Sequence, residues 1–113
     1  QGGRVLGNFM ENYDLILSPV LNKPPVKIGE IDMSSPDVIT YIERLTSYSG
    51  FTGIYNQTGQ PSISVPLGFS KNELPIGSMF TAKFGNDELL ISLASQLEKA
   101  APWADKKPLI YSN

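Results

Sequence analysis

Apolar residues recur along this chain in two rhythms, and the alternation between them predicts its elements. Val5, Leu6, Phe9, Met10 and Tyr13 fall at i, i+1, i+4, i+5 and i+8, one stripe of a helix that begins close to the first residue. Gly7 weakens that stripe by about 1 kcal/mol relative to alanine. The run Asp14-Leu15-Ile16-Leu17-Ser18 is too short for a helix, rich in branched side chains, and halted by Pro19, so it predicts a buried strand. From Pro19 to Pro36 neither rhythm holds. Pro24-Pro25, Gly29 and Ser34-Ser35 interrupt isolated apolar residues, and a loop this long in a compact domain is functional or laid over a neighbour.

Ser35 before Pro36, with Asp37 in the first turn, predicts a helix start: the hydroxyl caps free N–H groups, and proline has none to satisfy. Val38, Tyr41, Ile42, Leu45 and Tyr48 mark its buried face. Phe51, Ile54, Tyr55 and Thr58 return to helical spacing and predict a short helix ended by Gly59. Ser62-Ile63-Ser64-Val65 then alternates between Pro61 and Pro66, and Ile76 to Lys83 places Ile, Ser, Phe and Ala on one face. With Gly68, Lys71 and Asn72 as turn chemistry, these are two antiparallel neighbouring strands. Asn86 is placed to cap a last helix, with Asp87 and Glu88 favourable to its dipole; Leu89, Leu90, Leu93, Ala94, Leu97 and Ala101 form its stripe and Pro102 stops it. The order gives one α/β unit spanning residues 1–113, a few-stranded mixed sheet flanked by helices. Three strands leave edges to cover, which points to a partner segment.

Composition narrows the chemistry. The 113 residues include no Cys and no His, so disulfides, a Ser-His-Asp triad, a Cys-His pair and ordinary zinc ligation are all excluded. Lys and Arg total 9 against 11 for Asp and Glu, a net charge of −2, and the basic residues are scattered apart from Lys106-Lys107. That field cannot neutralise phosphates, so nucleic acid is not expected as a partner. No apolar run reaches the ~18 residues of a membrane span and no signal-peptide pattern opens the chain, so the expectation is a soluble, cytoplasmic protein without a membrane partner. The first residue is Gln rather than Met, which reads as a fragment.

The reactive groups that remain are few in kind. No serine stands in Gly-x-Ser-x-Gly, and none is followed three residues later by Lys. Ser18, Ser62 and Ser64 fall on strands and read as satisfied structural hydroxyls. Asp87-Glu88 is explained by the helix dipole, Asn56-Gln57-Thr58 matches a glycosylation acceptor by coincidence, and no glycine-rich phosphate cradle is present. The residues alone give an α/β chain with no complete active site, no metal site and no cofactor.

One stretch carries more. Thr58-Gly59-Gln60-Pro61-Ser62-Ile63-Ser64-Val65-Pro66-Leu67-Gly68, followed by Leu74-Pro75-Ile76-Gly77, resembles the C-terminal part of the amidase signature family. Tyr13-Asp14-Leu15-Ile16-Leu17-Ser18-Pro19 is similar to that family's strand leading to a proline, and Leu93 to Glu98 with Pro102-Trp103 to its closing helix. Gly77-Ser78-Met79-Phe80, Phe84-Gly85 and Pro102-Trp103-Ala104-Asp105 most resemble the branch that contains 6-aminohexanoate cyclic dimer hydrolase. Many relatives carry Gln at the position of Met79, so any role of that amide is missing. An amidotransferase subunit is a further alternative, lowered because Ser49 stands where such subunits tend to have an acidic residue.

The resemblance implies hydrolysis of an amide C–N bond by a Ser-Ser-Lys triad: one serine attacks, a second relays protons to a neutral lysine, and backbone N–H groups hold the oxyanion. The triad belongs to a Gly/Ser-rich stretch and a lysine further upstream, so none of Lys23, Lys27, Lys71, Lys83, Lys99, Lys106 or Lys107 is assigned to it, and the chain alone is expected to be inactive. By the same resemblance, Ser49 to Asn56 lines the substrate pocket, with Phe51, Thr52 and Asn56 as contact residues; packing of Phe51 and turn or cap bonds of Thr52 and Asn56 are the alternatives. Implied partners are a small-molecule amide and the N-terminal remainder of the same polypeptide, with self-association through uncovered apolar surface. A non-catalytic interaction module is the rival reading.

Overall fold

The computed structural model describes residues 1–108 and Ile110. Its elements follow in the order α1 (Gly2–Phe9), β1 (Leu15–Pro19), α2 (Val38–Tyr48), α3 (Gly53–Thr58), β2 (Ser62–Phe69), β3 (Pro75–Ala82) and α4 (Asp87–Ala100). Every element type expected from the sequence is present in that order, and no helix among the described residues is long and apolar enough to cross a membrane.

β3 is the central strand, with β1 and β2 on either side of it. Both pairings are antiparallel, so the few-stranded sheet is antiparallel and not mixed. Directly opposed residues share a face. Leu15, Leu17, Ile63, Val65, Phe80 and Ala82 therefore lie on one side, and Ile16, Ser18, Ser62, Ser64, Met79 and Thr81 on the other. Thr81 and Ala82, on opposite faces, are both 0% exposed, so the sheet is covered on both sides at that end. α4 lies against β2 and β3, and α1 against α3. Met10, Val65, Met79 and Leu90 complete the buried apolar core.

Several local expectations are corrected. The α1 stripe ends early, with Met10 as its C-cap and Tyr13 beyond the helix. Met10 is buried, whereas Val5 and Phe9 are exposed and Phe9 stacks on Tyr13 at 4.8 Å; amphipathic spacing marks a face without saying that this chain covers it. The cap of α2 is Asp37, not Ser35: its carboxylate accepts from the Thr40 N–H at 3.2 Å through one oxygen and from Thr40 Oγ1 at 2.6 Å through the other. Ser35 Oγ instead accepts from the Asp37 N–H at 3.3 Å, one step outside the helix. Asn86 occupies the cap position of α4 without a side-chain bond, while Asp87 and Glu88 do fall in the first turn.

β2 runs through Pro66 to Phe69, with a register shift between Val65 and Gly68. An edge strand tolerates proline because one of its sides has no ladder to donate to. Gly68 thus belongs to this irregularity and not to the turn. The turn is Ser70 to Leu74: Ser70 Oγ accepts from the N–H groups of Asn72 and Leu74, and Glu73 takes the one positive non-glycine φ among the described residues, 59°. Gly59 closes α3 as expected, at φ 81°.

Candidate functional site

The segment from Ser49 to Asn56 is built on the end of α2. Ser49 donates to Leu45 O through both its N–H, at 2.9 Å, and its Oγ, at 3.0 Å. Gly50 follows, and Phe51 and Thr52 lead into α3. The carbonyl of Thr52, its N-cap, accepts from the N–H groups of Tyr55 and Asn56 at 3.2 and 3.4 Å. Those bonds belong to the Thr52 backbone; its hydroxyl makes no cap bond. The Asn56 carboxamide has no partner among the described residues.

Thr52, the N-cap, and Asn56 are one helical turn apart and share a side of the helix. Phe51, Thr52 and Tyr55 are half-buried and Asn56 is exposed. The structure therefore brings the three expected residues into one turn. It offers a hydroxyl and a carboxamide with unspent hydrogen-bonding capacity on one side of that turn. The alternative assignment of the Thr52 and Asn56 side chains to cap or turn bonds finds no such bond.

The concave surface lies elsewhere, where the loop after β1 meets the start of β3. A cleft of about 260 Å³ is lined chiefly by apolar groups, among them Val20, Leu21, Pro24, Leu74, Pro75 and Ile76, with Asn22, Lys23 and Ser70 as its polar members. A shallower depression of about 310 Å³ adjoins it at Leu17, Ser18, Gly77 and Ser78. Neither is lined by Phe51, Thr52 or Asn56. The connection between them is Asn22, whose N–H donates to Tyr48 O at 2.9 Å and whose Nδ2 donates to Ser47 O at 3.1 Å. Sequence reading missed Asn22, since a lone asparagine in an aperiodic loop gives no signal of a partner 25 positions away.

The strand serines divide. Ser62 Oγ meets Thr81 Oγ1 at 2.7 Å, a satisfied structural hydroxyl. Ser18 Oγ, on the edge strand β1, is buried and has no hydrogen-bond partner among the described residues, contrary to that expectation. Lys23 Nζ donates to Ser47 Oγ at 3.4 Å, a lysine–serine contact. Both groups are exposed, and the Ser47 proton is already donated to Arg44 O at 2.8 Å. Nothing there desolvates an ammonium or frees a nucleophile. Lys106 sits over the Phe69 ring at 4.1 Å, and no cluster of carboxylates capable of holding a metal occurs among the described residues.

A helix-flanked antiparallel sheet with a polar helical turn at its side, and without a nucleophile–base pair among the described residues, is one part of an α/β architecture. The family model named Amidase matches residues 4–91, and the chain belongs to the amidase family. It is 39% identical over 101 residues to the amidase AmiC of Mycobacterium leprae, covering 89% of this chain and 21% of that protein. It is 32% identical over 111 residues to 6-aminohexanoate-cyclic-dimer hydrolase of Paenarthrobacter ureafaciens, covering 94% and 22%. The solved structure of 6-aminohexanoate cyclic dimer hydrolase superposes with a TM-score of 0.80 at 30% identity, covering 95% of this chain and 23% of that one. The chain thus spans about a fifth of the length of the relatives it matches.

Proposed function

We propose that this chain is the C-terminal part of an amidase that hydrolyses carboxamide C–N bonds, and that it contributes a substrate wall while a Ser-Ser-Lys triad lies in preceding polypeptide. The observation that carries the reading is the superposition on 6-aminohexanoate cyclic dimer hydrolase over 95% of the chain and only 23% of the hydrolase. An amide presents one acceptor, C=O, and one donor, N–H. The Asn56 carboxamide and Thr52 hydroxyl can answer both, since each group can donate and accept. Phe51 supplies an apolar surface for the carbon framework beside them. The attacking serine, its relay and the lysine base act on the substrate so held, and the oxyanion is met by backbone N–H groups of the same preceding segment.

The test uses the enzyme carrying both parts. Phe51→Ala and Asn56→Leu raise KM for a simple carboxamide by about tenfold with kcat within about twofold, the signature of uniform binding lost. Unchanged KM in both variants removes these residues from the site.

A further inference from the structure

Two glycines in this chain stand so close to neighbouring side chains that a Cβ would force those side chains to shift. A Cβ on Gly77 would stand 2.8 Å from Val20 Cγ2 and 2.7 Å from Ser64 Oγ, and one on Gly50 would stand 2.5 Å from Asn22 Nδ2, 3.0 Å from Oδ1 and 3.1 Å from Cγ. Neither glycine has a φ in the left-handed region, so any residue could adopt either backbone. What each lacks is room. Val20 and Asn22 belong to the same three-residue strap after β1, and each is seated over one of the two glycines: Val20 over the sheet at β3, Asn22 over the link between α2 and α3.

Asn22 does more than fill its notch. The last carbonyls of a helix have no partner within it and are usually met by a glycine-terminated cap or by water. Here Ser49 does not enter the left-handed conformation, at φ −109°. The carbonyls of Ser47 and Tyr48 are instead taken by the side chain and backbone of Asn22. The strap therefore bolts the end of α2 to the sheet, and the next residues in the chain are Gly50, Phe51 and Thr52.

We infer that Asn22 and Gly50 are a positioning pair that fixes the Phe51–Asn56 wall relative to the sheet and so sets the affinity for the amide substrate. This rests on the reading of that wall as part of the substrate site. Asn22 touches no reacting atom in the scheme; it acts through the main chain at Ser47 and Tyr48. Its chemistry is specific, because Asp has the same shape but turns an acceptor toward the Ser47 carbonyl.

The experiment compares Asn22→Ala, Asn22→Asp, Gly50→Ala, the double variant Asn22→Ala/Gly50→Ala, and Phe51→Ala, all in the enzyme carrying the preceding polypeptide, with an amide substrate and a thermal melt for each. Asn22→Ala and Asn22→Asp are expected to raise KM about tenfold while kcat stays within about twofold. Gly50→Ala is expected to lower the melting temperature in the native background and not in the Asn22→Ala background, since the atoms its Cβ meets are then gone. The melts hold even where Gly50→Ala is too unstable to assay. Additive losses in the double variant overturn the pairing. A KM that rises in Phe51→Ala but not in either Asn22 variant overturns the positioning role and leaves the wall standing. A KM unmoved in Phe51→Ala as well as in the Asn22 variants removes the wall itself.

Discussion

Asp37 caps α2 with a carboxylate that accepts two hydrogen bonds from Thr40, and those bonds, first the side-chain one and then the backbone one, hold its pKa below the ordinary 3.8. A carboxyl depressed by folding contributes stability that is present above its unfolded value and is lost as pH falls through the folded one. The start of α2 is therefore expected to loosen only below about pH 4, detected as faster exchange of the Thr40 amide. Asp37→Asn keeps an acceptor for that amide and flattens the acid dependence; an unchanged profile contradicts the assignment. Glu73 is the second residue with a local consequence. At φ 59° an L side chain is strained by about 1–2 kcal/mol, and glycine is not, so Glu73→Gly is expected to stabilise by up to about 1.5 kcal/mol after its own entropic cost of about 0.5–1 kcal/mol. A denaturant midpoint that falls would show that the Glu73 side chain contributes a contact worth more than the strain.

At the scale of elements, the hydroxyl pair Ser62–Thr81 ties β2 to β3 where Thr81 is fully buried. Thr81→Val leaves the shape and removes the bond, and is expected to cost about 1 kcal/mol, read from the shift of the unfolding midpoint. The elements themselves were legible because each rests on a local rule: the stripe of α4, the Gly59 stop of α3, the alternation of β3. What was not legible was set by neighbours across the sheet or by competition between adjacent polar groups. Pro66 looks like a strand end until β2 is known to be an edge strand, and Ser35 looks like a cap until Asp37, two residues later, takes both groups of Thr40. The proposed substrate wall, Phe51, Thr52 and Asn56, rests on resemblance; the spacing places Thr52 and Asn56 on one side of a turn but does not say that their side chains are left unpartnered. Asn22 was invisible, since its contacts are made across the fold.

The molecule as a whole exposes 8719 Å², whereas a compact chain of this mass exposes about 6,100 Å². Its radius of gyration, 16.7 Å, likewise exceeds the roughly 13 Å of a compact unit of this length. The excess of about 2,600 Å² is several times the ~800 Å² that one partner buries in a standard interface. Leu17 is 65% exposed and Ile76 52%, both beside the unpaired outer edge of β1 or the depression next to it. The isolated chain is therefore expected to self-associate through that region in sedimentation velocity, and Leu17→Lys with Ile76→Lys to reduce the effect. A monomer at all concentrations would mean that this surface is tolerated by water as it stands.

The proposed function divides the labour, with bond breaking in one part of the polypeptide and a wall for the substrate in this one. Hydrolysis of a simple carboxamide by the 113 residues alone, assayed beside the same residues joined to the preceding polypeptide, tests it most directly. Turnover is expected from the joined protein and none from the chain alone; turnover by the chain alone would place the bond-breaking groups within these residues.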